Sequence, residues 1–230
     1  MSPPIVAIDG PAGAGKSTVA RQLARKLGFT MIDTGAIYRS VALAARRAGV
    51  DWDDDEGLRK LLDAGLGLTF LSVPDALEQR VLLHGQDVSE AIRTPEISRG
   101  SSVVSARPVV RKKLLGLQRD LGHKAPKGAV LEGRDIGTVV FPDAQVKFFL
   151  TASDEARARR RYAELAEKGV AAPLQEVLAD QRRRDKDDME RIIAPLKPAP
   201  DAITVETTGL DLAEVVERCY ALATARLSGS

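Results

Sequence analysis

The stretch of sequence that decides the fold is Ile5-Val-Ala-Ile-Asp-Gly-Pro-Ala-Gly-Ala-Gly-Lys-Ser-Thr18. Residues 5–8 form a short apolar run, which is typical of a buried strand in a parallel sheet, and residues 19–27 carry apolar side chains at helical spacing. The turn between them matches the pattern G-x-x-x-x-G-K-[ST] at Gly10, Gly15, Lys16 and Ser17. Because the motif lies between a strand and a helix, as its function requires, the sequence predicts a site for a nucleoside triphosphate.

The chemistry of this loop suits a chain of phosphate groups. Residues without a Cβ atom let successive backbone N–H groups turn inward, and the start of the following helix adds partial positive charge. Lys16 can then reach the terminal phosphates, and Ser17 offers a hydroxyl group to Mg²⁺. The residues predicted to hold the nucleotide are Gly10, Pro11, Ala12, Gly13, Ala14, Gly15, Lys16, Ser17 and Thr18.

The composition narrows the class of protein. The chain has 230 residues, and 44% of them are hydrophobic, which is enough for a sizeable core. A net charge of +2 does not indicate a nucleic-acid binder. No apolar run approaches the ~20 residues that span a membrane. Only four residues precede the first predicted strand, so we expect neither a signal peptide nor a membrane partner.

The cysteine and the histidines exclude two kinds of site. Cys219 is the single cysteine, so an internal disulfide is impossible, and we expect a cytoplasmic protein. Its place on an apolar helical face predicts core packing. His84 and His123 stand far apart without clustered ligands, which disfavours a zinc site.

Further strand patterns alternate with helical ones along the chain. Short apolar runs occur at residues 30–33, 129–132, 146–150 and 203–205. Helical segments separate most of them, and a connection rich in polar residues, 133–142, separates 129–132 from 146–150. Together with the first strand they predict an α/β fold with three layers, in which helices cover a central five-stranded parallel sheet. Ligands of such folds bind at the carboxyl ends of the strands.

The pattern changes between residues 67 and 88. Residues 68–71 and 80–83 are strand-like, with Pro74-Asp75 and Gly85-Gln86 as turns, which predicts a small antiparallel sheet inserted into the main fold. Helices are predicted at 95–105 and 108–121, and Trp52 is expected to be a local packing anchor. Gly28 is the predicted end of the first helix, and Ser153 and Asp211 are predicted N-caps later in the chain.

A phosphate loop alone leaves kinases, GTPases, ATPase motors and ligases open. The chain has no N-K-x-D segment for reading guanine, and arginines crowd between residues 157 and 191 instead. Arginines that close over a phosphoryl donor neutralise charge on the transferring group and exclude water. A small protein with these features looks like a nucleoside monophosphate kinase, and Arg160 and Arg184 are the arginines that we expect to assist transfer.

Four further segments carry a closer resemblance. The chain resembles the bacterial cytidylate kinases at Asp33-Thr-Gly-Ala-Ile-Tyr-Arg39, Gln86-Asp-Val-Ser-Glu-Ala-Ile-Arg93, Glu132-Gly-Arg-Asp-Ile-Gly-Thr-Val-Val-Phe-Pro-Asp-Ala144 and Ile193-Ala-Pro-Leu196. These segments reach from the phosphate loop to the arginine-rich helices, so the resemblance extends over essentially the whole chain. It implies transfer of the γ-phosphoryl group of ATP·Mg²⁺ to CMP and dCMP by a monomer.

The resemblance also implies roles for individual residues. Arg134 would grip the acceptor phosphate and assist transfer, Asp135 would orient the base or sugar, and Asp188 would accept from sugar hydroxyls. Glu132 stands where other P-loop kinases commonly carry Asp, and with Ser17 it is the expected metal ligand. The implied acceptor-binding residues are Thr34, Tyr38, Arg39, Arg111, Arg134, Asp135, Asp188 and Arg191.

The resemblance implies three regions. A core would comprise residues 1–34, 107–154 and 192–230, a region for binding the monophosphate would comprise 35–106 with the insertion at about 67–88, and a short helical lid would comprise 155–191. The alternatives are a UMP/CMP kinase or another small-molecule kinase of this fold. A nucleotide-gated binding protein is an alternative of a different class, in which the loop would switch a partner surface.

Overall fold

The structure is a computed structural model that describes residues 2–71, 79–167 and 169–229. Within these ranges, no helix has both the length and the apolar character needed to cross a bilayer. The chain divides into two compact units, of which the first comprises Met1–Ile32 with Arg119–Ser230 and the second comprises Asp33–Gln118. The predicted turn at Pro74-Asp75 lies outside the described residues.

The described elements follow the predicted alternation of strands and helices. The strands are β1 (Ile5–Asp9), β2 (Thr30–Asp33), β3 (Leu68–Leu71), β4 (Arg80–Leu83), β5 (Gln86–Asp87), β6 (Ala129–Gly133), β7 (Val146–Thr151) and β8 (Ile203–Glu206). The helices are α1 (Lys16–Leu27), α2 (Thr34–Arg47), α3 (Asp55–Asp63), α4 (Pro95–Ala106), α5 (Pro108–His123), α6 (Asp154–Glu167), α7 (Leu174–Glu190) and α8 (Leu212–Ser228). A 3₁₀ helix spans Ala91–Arg93, and a π-helical turn spans Ile136–Val140.

The first unit contains the predicted five-stranded parallel sheet, in the order β2-β6-β1-β7-β8. The central strand β1 is buried along its whole length because it pairs with β6 on one side and β7 on the other. Helices cover the sheet, so its strands read as continuous apolar runs rather than alternating ones. The predicted fold class is therefore confirmed.

The core of the first unit packs α1 and α8 against the sheet. Val19 and Leu23 of α1 and Val216 of α8 are buried together with the side chains of β1 and β7. Cys219 belongs to the same cluster, as its apolar helical face predicts, and burial raises the pKa of its thiol to about 12. This thiol is therefore a packing group rather than a nucleophile.

Capping residues set the ends of several helices where the sequence predicts them. Gly28 ends α1 in the left-handed conformation, with φ 69°. The Ser153 hydroxyl accepts from the Ala156 N–H at 3.2 Å in the first turn of α6. At α8, Asp211 and Glu214 form a reciprocal capping box.

The second unit contains helices α2 to α4 and the small antiparallel sheet β3-β4-β5. The antiparallel insertion is confirmed, but the prediction of a turn at Gly85-Gln86 is wrong by one residue. His84 and Gly85 form the turn with φ values of 48° and 78°, and Gln86 starts a third strand. A two-residue hairpin turn whose twist matches that of its strands needs positive φ at both central residues. His84 and Gly85 meet this requirement, so the turn lies one residue earlier than predicted.

Trp52 is the packing anchor that the sequence predicts for this unit. Its indole N–H donates to the Ala42 carbonyl of α2 at 2.9 Å. Its ring lies where a side chain on Gly100 of α4 would have to be. A glycine at position 100 therefore lets α4 approach the indole ring closely.

Candidate active site

The phosphate loop leaves the carboxyl end of β1 and enters α1. Its three glycines Gly10, Gly13 and Gly15 have φ values of 148°, 74° and 85°, which residues with a Cβ atom rarely adopt. A Cβ atom on Gly10 would also overlap the Leu150 carbonyl oxygen of β7. The glycine spacing of the motif is thus required both by the loop conformation and by its contact with the sheet.

Lys16 is the buried cation of this loop. Only 5% of the residue is exposed, and its Nζ atom donates to the Pro11 carbonyl oxygen at 2.7 Å. Burial, with a further contribution from the positive charge of Arg134, lowers the pKa of the Lys16 ammonium group to about 7. A polyphosphate next to Nζ would favour the charged form, so Lys16 is suited to bind one.

Ser17 and Glu132 lie together at the carboxyl ends of the adjacent strands β1 and β6. The Ser17 hydroxyl donates to Oε1 of Glu132, whose exposure is 6%. A hydroxyl and a carboxylate are oxygen ligands of the kind that Mg²⁺ takes, so this pair fits the predicted metal ligands. Among residues 2–71, 79–167 and 169–229, no group of three or more His, Cys, Asp and Glu side chains could hold a metal.

Four of the residues implied by the resemblance form one charged cluster in the first unit. Arg134 Nε donates to Asp188 Oδ2 at 2.8 Å, and Arg191 Nη1 lies 3.6 Å from Asp188 Oδ1. Arg191 Nη2 lies 3.5 Å from Oδ1 of Asp135. Burial raises the pKa of the Asp188 carboxyl group, but Arg134 and Arg191 more than offset this and hold the pKa below its usual value. The structure thus brings together side chains from the β6 loop and from the end of α7.

The other implied acceptor-binding residues, Thr34, Tyr38, Arg39 and Arg111, lie in the second unit. Asp33 accepts from Arg39 Nη2 at 2.8 Å and caps α2. The Arg111 guanidinium group lies 5.7 Å from the centre of the Tyr38 ring and donates to the Ser105 carbonyl at 3.1 Å. Thr34, the first residue of α2, is buried. Four of these residues are at least nine-tenths buried, namely Asp33, Thr34, Tyr38 and Arg111. Packing therefore fixes the positions of their side chains.

The two arginines expected to assist transfer occupy different surroundings. Arg160 of α6 donates from Nη1 to Thr207 Oγ1 at 3.0 Å and from Nη2 to the Thr207 carbonyl at 2.7 Å. Its Nη1 atom also lies 3.9 Å from the point where a Cβ on Gly15 would stand, so this guanidinium group is next to the phosphate loop. Arg184 of α7 contributes positive charge at Asp188. Arg160 adjoins the predicted phosphate site, and Arg184 adjoins the charged cluster.

Asp9 is a buried carboxylate whose contacts the sequence analysis missed. Its two oxygens accept from the N–H groups of Ile136 and Gly137 at 2.8 and 2.7 Å, which ties the end of β1 to the loop that carries Arg134 and Asp135. Burial raises the pKa of Asp9 to about 6, although the two backbone hydrogen bonds oppose this shift. An acidic residue at the end of an apolar strand run was the available signal, but its partners are more than 120 residues away.

Arg157, Gln181 and Asp185 also contact the phosphate loop, and none of the three was assigned a role from the sequence. All three side chains hydrogen-bond to the main chain of Ala12. They stand on α6 and α7, about 145 to 173 residues from the loop. The local sequence offered only the crowding of arginines as a signal.

Comparison with known proteins identifies the family. The family described as cytidylate kinase matches residues 6–225. A cytidylate kinase of Geobacter sp. (strain M21) is 55% identical over 213 residues, covering 93% of this chain and 89% of that protein. A cytidylate kinase of Azotobacter vinelandii is 48% identical over 226 residues, covering 98% and 97%.

A solved structure shows the fold at a greater sequence distance. An uncharacterized protein from Eubacterium ventriosum has a TM-score of 0.54 at 12% identity, with 96% of this chain and 98% of that chain covered. This likeness concerns the fold alone, whereas the sequence match reaches from β1 into α8. The chain belongs to the cytidylate kinase family.

Proposed function

We propose that this protein transfers the γ-phosphoryl group of ATP to CMP, and also to dCMP, giving CDP or dCDP and ADP. The observation that carries this proposal is a phosphate loop with a buried lysine in a chain that matches the cytidylate kinase family over residues 6–225. The family and the named relatives indicate a phosphotransferase that uses ATP and CMP. They do not favour the other kinases or the nucleotide-gated binding protein.

The donor is proposed to bind at the loop 10–18. Backbone N–H groups at the start of α1 and the Lys16 ammonium group would hold its phosphate oxygens. Ser17 and Glu132 would hold Mg²⁺, directly or through water. When bound, this ion supplies positive charge that neutralises the phosphate oxygens.

The acceptor is proposed to bind through the residues that the family resemblance implies. Arginine forks match phosphate oxygens bidentately, so we assign the CMP phosphate to Arg39, Arg111 and Arg134. Asp188, held charged by its arginine partners, is suited to accept from the sugar hydroxyls, and Arg191 orients Asp135 and Asp188.

The reaction needs no covalent enzyme intermediate and no general base. A phosphate oxygen of CMP, already an anion, forms the new bond to the γ-phosphorus, and the bond to the β–γ bridging oxygen breaks. ADP leaves with the bonding electrons. Positioning and charge neutralisation then provide the catalysis, with Lys16, Arg134, Arg160 and Arg184 as the contributing cations.

The division into a core, a monophosphate-binding region at 35–106 and a lid at 155–191 remains part of this proposal. Closure of the lid would exclude water, which otherwise competes for the phosphoryl group. We further propose a monomer that acts in the cytoplasm.

The test is coupled ADP production from ATP·Mg²⁺ with CMP, dCMP, UMP, AMP, GMP and dTMP as separate acceptors. Strong turnover with CMP and dCMP alone is the expected result. Comparable turnover with UMP would keep the kinase assignment and refute the selectivity for cytosine. The absence of turnover with all six acceptors would contradict the proposed reaction.

A further inference from the structure

The main chain of Ala12, in the middle of the phosphate loop, is bound by three side chains from a distant part of the sequence. The Ala12 N–H donates to Asp185 Oδ1 at 3.0 Å. The Ala12 carbonyl oxygen accepts from Arg157 Nη1 at 2.9 Å and from Gln181 Nε2 at 2.7 Å. Both polar groups of one residue are therefore held by α6 and α7.

All three side chains are buried, and further polar contacts fix two of them, Arg157 and Asp185. Arg157, Gln181 and Asp185 are 4%, 6% and 5% exposed. Arg157 Nη1 pairs with Asp185 Oδ2, its Nε donates to the Ala152 carbonyl at 3.0 Å, and its Nη2 pairs with Asp154. A side chain with its partners already in place is held in one rotamer, so it can hold the loop in one position.

The loop backbone also packs directly against the two helices. A Cβ atom on Gly13 would lie 2.9 Å from Gln181 Nε2 and 3.0 Å from the Arg157 carbonyl oxygen. Ala12 is followed directly by Gly13, whose backbone has wide conformational freedom because it lacks a Cβ atom. Without these contacts this segment would have many conformations to lose when a nucleotide binds.

We propose that Arg157, Gln181 and Asp185 are positioning residues that hold the phosphate loop in its nucleotide-binding conformation before ATP arrives. Backbone N–H groups bind phosphate oxygens well only if they already point at the ligand. A loop that is ordered in advance does not lose conformational entropy on binding, so the affinity for the nucleotide rises. The inference rests on the proposed function, because it assigns ATP to this loop.

The same helices connect the loop to the proposed catalytic groups. Arg157 and Arg160 lie one turn apart on α6, and Asp185 and Asp188 lie one turn apart on α7. Arg160 adjoins Gly15, and Asp188 anchors Arg134. The contacts at Ala12 therefore set the position of the loop relative to these side chains within the first unit. They also assign to Arg157, one of the arginines of the lid region, a role other than contact with phosphate.

Two substitutions test the proposal. Gln181→Leu removes one donor to the Ala12 carbonyl with little change in volume, and Asp185→Asn keeps an acceptor for the Ala12 N–H but breaks the ion pair with Arg157. Gln175→Leu and Asp180→Asn are matched controls, because both residues are exposed on α7. The dissociation constants of ADP alone and of CMP alone, the KM for ATP and the thermal unfolding midpoint are measured for each variant.

We expect the dissociation constant of ADP and the KM for ATP to rise about 3-fold to 10-fold in Gln181→Leu. In Asp185→Asn we expect both quantities to rise about 10-fold or more, because the ion pair between Asp185 and Arg157, which also binds Ala12, is lost. The dissociation constant of CMP should stay within about twofold of the wild-type value, and the controls should leave all four quantities unchanged.

Two results would count against the inference, and they are distinguishable from failure of the proposed function. Unchanged ADP binding and ATP KM in both variants, even with a lower unfolding midpoint, would reduce these residues to a structural role. Equal losses of ADP and CMP affinity would show general damage to the first unit. If the wild-type protein itself does not bind ADP, the proposed function fails, and the inference fails with it.

Discussion

The Lys16 ammonium group is held in the loop by one hydrogen bond to the Pro11 carbonyl, and burial together with the charge of Arg134 lowers its pKa to about 7. In Lys16→Met a side chain of similar length replaces it without charge. We expect single-turnover transfer to CMP to slow by about 10²-fold to 10³-fold, the usual cost of losing one preorganised charge donor. Thermal unfolding should show a protein at least as stable, since a desolvated charge is gone.

The matched control for Lys16→Met is Lys124→Met, because Lys124 is exposed on the surface. The control should transfer at the wild-type rate. Normal transfer by Lys16→Met would contradict the assignment of the donor to this loop.

Asp9 gives the stability of the protein a distinctive pH dependence. Burial raises the pKa of Asp9 in the folded state to about 6 from an ordinary value of 3.8, so the folded protein binds this proton more tightly than the unfolded chain does. The stabilisation is fully present below about pH 3.8 and is lost as the pH rises through about 6. At 1.36 kcal/mol per pKa unit, protonation of Asp9 adds about 3 kcal/mol to the free energy of unfolding at low pH.

The measurement is urea unfolding of the wild type and of Asp9→Asn between pH 4 and pH 7. The contributions of all other ionisable groups are nearly the same in both proteins, so they cancel when the two free energies of unfolding are subtracted. The wild type should gain free energy of unfolding relative to Asp9→Asn as the pH falls from 7 to 4. A difference that does not change with pH would show that Asp9 does not titrate in this range.

Arg191 holds two carboxylates at once, and its planar fork matters as much as its charge. Arg191→Lys keeps the charge of this buried group but cannot reach both Asp135 and Asp188 in the same geometry. We expect the KM for CMP to rise about 10-fold or more, with a smaller change in the KM for ATP. Steady-state kinetics with CMP and ATP varied separately would measure both KM values. The control is Arg183→Lys, because Arg183 is exposed on α7. Equal changes in the two KM values would argue against a role in acceptor binding.

At the scale of the element, the final helix shows how a local signal and a buried face act together. Asp211 Oδ1 accepts from the Glu214 N–H at 2.7 Å, and the Glu214 carboxylate accepts from the Asp211 N–H at 3.0 Å. The face that carries Val215, Val216 and Cys219 packs into the core of the first unit. The cap stabilises the start of this helix, and the core fixes where the helix lies.

The capping box can be tested without touching the proposed site. Asp211→Ala should lower the free energy of unfolding by about 1 kcal/mol, because the Glu214 N–H loses its acceptor. Asp211→Asn keeps an acceptor and should retain most of the wild-type stability. Chemical denaturation measures both variants, and equal losses would show that the charge of Asp211, rather than its hydrogen bond, stabilises the helix.

At the scale of the whole molecule, a nucleotide that binds only the folded protein must stabilise it. ADP at about 100 times its dissociation constant should raise the free energy of unfolding by about 2.7 kcal/mol. CMP should do the same, separately, at a corresponding excess. In Lys16→Met we expect the effect of ADP to be much reduced and that of CMP to remain, which a thermal unfolding series with each ligand would show. Persistence of the full ADP effect would mean that the nucleotide binds elsewhere.

The sequence predicted the elements of the sheet and the phosphate loop because these depend on local signals. Apolar runs, helical spacing, glycine positions and caps are properties of neighbouring residues, so residues 5–8, Gly28 and Asp211 could be interpreted directly. The hairpin turn at His84 and Gly85 was misplaced by one residue, because a polar turn and a very short strand have the same composition. The π-helical turn Ile136–Val140 was not predicted, since its main-chain conformation is held by Asp9 from another strand.

For the candidate site too, some features could be predicted from the sequence and others only from the tertiary structure. Motif spacing alone determined which residues form the loop 10–18, and the family resemblance supplied the arginines and carboxylates of the acceptor set. Only the tertiary structure decided that Asp188 pairs with Arg134, that Asp9 holds the β6 loop and that α6 and α7 bind Ala12. These contacts join residues 54 to 173 positions apart. The parallel sheet brings the carboxyl ends of β1 and β6 to one edge, and side chains of α6 and α7 bind the loop that leaves β1 there. No local pattern encodes which side chains meet at that edge.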